Sequence, residues 1–328
     1  MLASKENIPI KEIPLPNYNQ YSKELTDKFG ISYPAKTIPF YSLGNLSEIP
    51  SALNKSKKGW GWDEQSDVRY IHANEVPKVS VVVPSYNQGA YIEETIRSIL
   101  LQNYPNVELI IVDGGSSDDT IEILEHYRNF ISVSISEKDR GQSHAINKGF
   151  SLASGDLFFW INSDDFANAN AFNRLVEIFQ KDRSLDIVYG DGLALNESTG
   201  VTRYEPGPFV HNRYLRFAAI ILSHSIMWRR EVHCPIWEDL NCAMDAELWL
   251  RLFPRRKTVH CNFAVSTART HAEQKTTNSE KWASKWKEDY EKYIWPSYPS
   301  ISQFDWKLRC YEYRLVQKLY NIFIRKNS

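Results

Sequence analysis

Two clusters of acidic and amide residues sit where apolar runs stop. The run at 107–112 stops at Asp113-Gly114-Gly115, and the run at 156–161 leads into Asn162-Ser163-Asp164-Asp165. A carboxylate at the end of a buried strand is costly unless it is paired or bound to a cation. The simplest partner is a hard divalent ion that also carries diphosphate oxygens. Mg2+ and Mn2+ favour one or two protein carboxylates plus phosphate and water. Asp164 is the candidate ligand. The plain alternative is that Asp164 and Asp165 cap the next helix, a role that suits Asp165 better. Asp113 can likewise be a turn-forming residue ahead of two glycines. Neither cluster has the glycine spacing of a dinucleotide fingerprint or of a phosphate loop. This argues against a Rossmann dehydrogenase and a P-loop nucleotide hydrolase.

The elements that must position these residues follow from periodicity. Residues 79–83 form a short, apolar, β-branched run that ends at Pro84, which reads as a buried strand. Tyr91, Ile92, Thr95, Ile96, Ile99 and Leu100 share one helical face. Further strands are expected at 107–112, 131–135, 156–161 and 187–189. Helices are expected after Ser117 as cap, at 145–152 and at 171–179. Strands that alternate with helices imply βαβ units and a parallel sheet, whose ligands bind beyond the carboxyl ends of the strands. After Gly190 the alternation fades into a hairpin (193–196 and 201–205), a strand at 223–228, a helix at 243–253 and a strand at 258–264.

Taken together, VSVVVPSYN (79–87), VELIIVDGGSSD (107–118), NKG (147–149), ASGD (153–156) and NSDD (162–165) resemble glycosyltransferase family 2. Each motif is weak alone; five in order are specific. The resemblance covers roughly residues 78–275 and implies the GT-A fold, a Rossmann-like, mostly parallel α/β sheet flanked by helices. The GGS and NSDD forms look like the subgroup that builds bacterial surface polysaccharides such as O-antigen.

What the resemblance implies, position by position, is a donor and an acceptor side. Pro84, Tyr86 and Asn87 would line the nucleotide pocket. Asp113 would accept the imide N–H of uracil or thymine. Asn147 and Lys148 would border the donor, and Arg140 and Gln142 would reach the diphosphate or sugar; Arg140 can equally be a surface ion-pair residue. The family's Asp-x-Asp motif reads Asn162-Ser163-Asp164 here. Asn162 would contact ribose through its amide, and Asp164 would hold Mn2+ or Mg2+ with help from His271. The stretch CAMDAELWLR (242–251) resembles the segment that opens the base-bearing helix. Asp245 would deprotonate the acceptor, and Glu247 would face it or orient the loop. The implied reaction is an inverting single displacement from a UDP- or dTDP-linked sugar to a hydroxyl of a saccharide or lipid-linked saccharide. Two rivals stand beside it. A sugar nucleotidyltransferase would need a Gly-rich, basic loop after the first strand, which residues 84–89 do not offer. A non-catalytic binding descendant has only Asn162 in its favour.

Composition bounds the rest. The 328 residues carry 39 Lys+Arg and 40 Asp+Glu, a net charge of -1, so no basic field points to nucleic acid. Aromatics at 13% and balanced charge exclude a wholly disordered chain. No apolar run reaches membrane-spanning length, and the first residues lack a secretory pattern. The four cysteines show no CxxC spacing and read as thiols of a cytosolic protein. Three parts are expected: an irregular extension at 1–77, rich in proline; a catalytic domain at 78–275, with a nucleotide-sugar half (78–191) and an acceptor half (192–275); and a helical extension at 276–328. Residues 304–328 hold six basic and two acidic residues. Leu308, Tyr311, Leu315, Leu319 and Ile322 form one stripe there. Packing on the catalytic domain is the plainer reading of that stripe; peripheral contact with an anionic membrane is the sharper one.

Overall fold

The computed structural model describes residues 13–68, 75–211, 214–215, 221–272, 274, 279–298 and 302–327. Strands β1 (Val79–Ser85) and β2 (Val107–Asp113) are buried along their whole length. Neither shows inside-out alternation, because both faces of the sheet are covered. They pair in parallel, Val79 with Val107 through Ser85 with Asp113. Strand β3 (Val133–Ser136) joins β2, and β4 (Leu157–Trp160) joins β1 from the other side, both in parallel. Helices α2 (Ile92–Leu100), α3 (Thr120–His126) and α4 (Gln142–Leu152) make the crossovers. The chain therefore reverses its direction of travel at β1, the switch point beside which such sheets form clefts. Gly149 lets α4 lie close on β1: a Cβ there would stand 2.4 Å from the Val82 Cγ1.

The second half extends the same sheet. It contains β5 (Phe166–Ala167), α5 (Ala171–Lys181), β6 (Ile187–Asn196), β7 (Val201–Glu205), β8 (Ile226–Arg229), α6 (Met244–Leu252) and β9 (Thr258–Thr270). The order is β3-β2-β1-β4-β8-β6-β9-β5, with β7 on β6. Strand β8 runs antiparallel between β4 and β6. Strand β9 runs parallel to β6 past bulges around Asp191. Residues alternate between two cores. Val81, Leu109, Phe159 and Phe172 fill one side; Val82, Ile110, Trp160 and Trp228 fill the other.

Several elements differ from expectation. Residues 187–189 and 193–196 are one strand, and the strand expected at 258–264 runs on to Thr270. Long-range pairing of β6 with β9 carries both through stretches with no local β signal. The strand expected at 223–228 starts as a 3-10 turn, Ser223–Ser225, and becomes β8. Helix α3 starts after Asp119, not Ser117. Asp165 caps no helix, since α5 begins after Asn170. In the N-terminal stretch a helix, α1 (Tyr18–Phe29), forms where an irregular chain is expected. Pro14 and Pro16 precede it and Pro34 follows, so the window between is free of proline. Asn17 caps it, and Gly30 ends it at φ 63°. At the other terminus lie α7 (Ser279–Asp289), a π-turn (Tyr290–Ile294), α8 (Trp295–Ser297) and α9 (Gln303–Asn327).

Candidate active site

A cleft of about 750 Å³ opens beyond the ends of β1, β2 and β4. One wall carries Pro84, Ser85, Tyr86, Gly114, Gly115, Lys138 and Asp139. Its floor carries Gln142, Trp160, Asn162, Ser163 and Asp164. The opposite wall comes from the second half and the C-terminal helices: Ser223, Asn241, Cys242, Met244, Asp245, Gln274 and Trp282. Among the described residues its charged lining is Lys138 against Asp139, Asp164 and Asp245. Three carboxylates and one ammonium repel a diphosphate unless a cation accompanies it.

The floor has a built corner. Asp164 Oδ2 and His271 Nε2 lie 3.2 Å apart. His271 follows directly on β9, and its ring packs 4.3 Å from that of Tyr91. Arg269, two residues earlier, is fully buried and donates to the Asp164 carbonyl at 2.6 Å. Its guanidinium also pairs with Glu94 at 2.6 Å and Glu197 at 2.7 Å. Three elements are thereby tied under the Asp164 loop. Asp165 turns inward and accepts the Arg269 N–H at 3.0 Å. Burial, and then the charge of Asp164, hold its carboxyl well above the ordinary range. The Asn162 Oδ1 accepts from Gln142 Nε2 at 2.8 Å and Trp160 Nε1 at 3.1 Å. Its Nδ2 donates to Asp165 at 3.4 Å, a contact that an Asp at this position would turn into repulsion.

A carboxylate and an imidazole at this separation fit a divalent ion of the Mn2+ or Mg2+ class that takes its other ligands from phosphate and water.

Asp245 stands across the cleft, in the first turn of α6. Burial pushes its carboxyl up to about 6, against a backbone hydrogen bond from Ala246 at 2.7 Å that lowers it. The turn that presents Asp245 is held by Asp289 of α7. That carboxylate is fully buried and accepts the N–H groups of Asn241, Cys242 and Ala243 at 2.7–3.1 Å.

Of the residues expected at the site, Pro84, Tyr86, Gln142, Asn162, Ser163, Asp164 and Asp245 line the cleft. His271 reaches it through Asp164. The others face elsewhere. Glu247 is fully buried and makes a two-pronged ion pair with Arg251 at 2.7 Å, with the Tyr298 hydroxyl donating at 2.9 Å. It sits on the inner side of α6 and does not line the cleft. Asp113 is fully buried and accepts from Gly115 N, Ser116 N and Oγ, and Ser136 Oγ. Those bonds turn its oxygens into the loop below the Gly114 wall. Lys148 is held by Glu137 at 2.5 Å. Arg140 pairs with Glu238 at 2.6 Å and reaches Tyr21 at 2.7 Å, as in the ion-pair reading. Asn147 is buried, donates to Ile236 O and Glu238, and accepts from Tyr18 at 2.8 Å. Asn87, at φ 51°, accepts from Ser117 N and so locks two loops together. Trp282 also lines the cleft. Asp289, Arg269 and Glu238 carry no local motif, which is why sequence patterns pass over them; only Arg269 leaves a hint, as a guanidinium inside a strand.

The fold is the GT-A fold. The chain superposes on Staphylococcus aureus TarS 1–349, solved in complex with UDP-GlcNAc, at TM-score 0.55 and 20% identity, over 72% of this chain and 71% of that one. Residues 80–233 match the model described as glycosyl transferase family 2. The chain is 30% identical over 221 residues to the putative teichuronic acid biosynthesis glycosyltransferase TuaG of Bacillus subtilis, covering 65% of this chain and 85% of TuaG. It therefore belongs to glycosyltransferase family 2. It is also 30% identical over 213 residues to chondroitin synthase of Escherichia coli, covering 62% of this chain but only 30% of that protein's length.

Proposed function

We propose that this chain is an inverting glycosyltransferase that moves a sugar from a nucleoside-diphosphate donor to a hydroxyl of a saccharide or lipid-linked saccharide. The carrying observation is the cleft itself: the Asp164–His271 corner on one side, and a half-buried carboxylate, Asp245, on the other. The nucleoside takes the wall of Pro84, Tyr86, Gly114 and Gly115, with Asp113 holding that wall rather than the base. TarS, which binds UDP-GlcNAc, favours a uridine donor. Asp164 and His271 would hold Mn2+ or Mg2+, which supplies positive charge to the departing diphosphate.

The acceptor oxygen attacks the anomeric carbon as the bond to the diphosphate oxygen breaks. Asp245 takes the hydroxyl proton onto its carboxylate, a step suited to a group that burial has made more basic. Gln142 fixes the Asn162 amide for the ribose side of the donor. Arg269 and Asp289 act through others, keeping the Asp164 loop and the Asp245 turn in place. TuaG and chondroitin synthase make surface polysaccharide a fitting destination for the product. The test is titration calorimetry of UDP-GlcNAc and other nucleotide sugars with and without Mn2+. Asp164→Ala should abolish the Mn2+-dependent part of binding; an unchanged Mn2+ response would refute the corner's role.

A further inference from the structure

We infer that α9 is an interfacial helix that lays its outer face on an anionic lipid surface. Its inner face is already occupied. Tyr313 is buried, the Gln317 Oε1 accepts from Phe209 N at 2.5 Å, and Tyr320 packs 5.2 Å from Phe209 and 5.8 Å from His260. The stripe expected to pack on the domain lies on the opposite side. Phe304, Tyr311, Leu315 and Leu319 are 75%, 69%, 53% and 60% exposed, and Leu308 and Ile322 are exposed as well. Six large apolar side chains in one row along a single helix are not ordinary scatter on a water-facing surface.

Two features choose the occupant. Lys307, Arg314 and Lys318 are all exposed and fall on one flank of the stripe at helical spacing, so apolar and basic groups share one outward face. An apolar face edged by Lys and Arg is the pattern of helices that lie in an anionic bilayer surface. Self-pairing as a coiled coil would need a heptad seam through 304, 308, 311, 315, 318 and 322, and position 318 is Lys; the apolar row steps to Leu319 instead, the 3.6-residue period of a straight stripe. No helix among the described residues is long and apolar enough to cross a membrane, so the helix lies on the surface rather than spanning it.

The test is vesicle co-sedimentation of the full chain, which needs no turnover and so stands apart from the donor chemistry. Three basic residues at an anionic surface predict on the order of a hundredfold tighter binding to phosphatidylcholine–phosphatidylglycerol vesicles than to pure phosphatidylcholine, declining as salt is raised. Leu315→Glu/Leu319→Glu should lose binding to both vesicle types, while Lys307→Glu/Arg314→Glu/Lys318→Glu should lose only the anionic preference. Both variants should melt like the parent, since neither touches the inner face. Failure of the parent to sediment with anionic vesicles would overturn the inference. So would equal binding by the leucine variant, or a dimer by light scattering that the leucine variant dissolves.

Discussion

Replacing Asp245 by Asn should separate catalysis from stability. The folded carboxyl sits at about 6, against an ordinary 3.8. The fold thus holds this proton more tightly than the unfolded chain does. Asp245 costs no stability below pH 3.8, loses it between roughly 4 and 6, and imposes the full cost above that. A shift of about two units corresponds to about 3 kcal/mol, and solvent reaching part of the carboxylate brings this to roughly 1–3 kcal/mol. Asn keeps an oxygen for the Ala246 N–H and carries no charge. Thermal melts at pH 8 should therefore show Asp245→Asn more stable by that amount, with the gain vanishing near pH 4. Turnover should move the other way. Loss of a general base lowers kcat by about 10²–10⁴. In the parent enzyme kcat/KM should fall about tenfold per pH unit below a midpoint near 6. Release of nucleoside diphosphate, followed with a coupled assay across pH, reads this directly. A midpoint near 4, or a variant with parental turnover, would sink the assignment.

Other residues should respond differently. Glu247→Gln leaves the buried Arg251 without its carboxylate and should cost roughly 3–5 kcal/mol by denaturant titration. Its pH–rate midpoint should stay in place, because Glu247 lies outside the cleft lining and is tied to Arg251. Asp289→Asn weakens the support for three N–H groups before α6. A stability loss of about 1–3 kcal/mol is expected, with kcat reduced more than donor affinity, as calorimetry would show.

The first half of the fold was legible because its strands are buried on both faces. Runs at 79–83 and 107–112 that are apolar but for Ser80 and Glu108, punctuated by Pro84 and Asp113-Gly114, point to buried strands of a parallel sheet. The second half was not. Strands β6 and β9 hold each other through a bulge at Asp191, and neither carries its full length in local pattern. At the site, motif residues on strand ends were readable because the ends of parallel strands converge by topology. What could not be read was where a side chain turns. Lys148, Arg140 and Asn147 all belong to motif neighbourhoods, yet Glu137 and Glu238 claim them. Asp113 is claimed by Ser116 and Ser136 in the same way. Apart from the neighbouring Ser116, those partners are chosen by packing across 11 to 98 positions of sequence, which no local spacing records.

The grip of α9 on Phe209 bears on how the protein should be trimmed. The backbone at 207–210 lies just past the end of β7, where the chain has left the sheet. Gln317 and Tyr320 peg that exit point from outside. Cutting the chain ahead of Gln303 to improve its handling would therefore unpin this segment, and a loss of transfer in such a shortened protein would report the missing peg before it reported any missing contact with lipid.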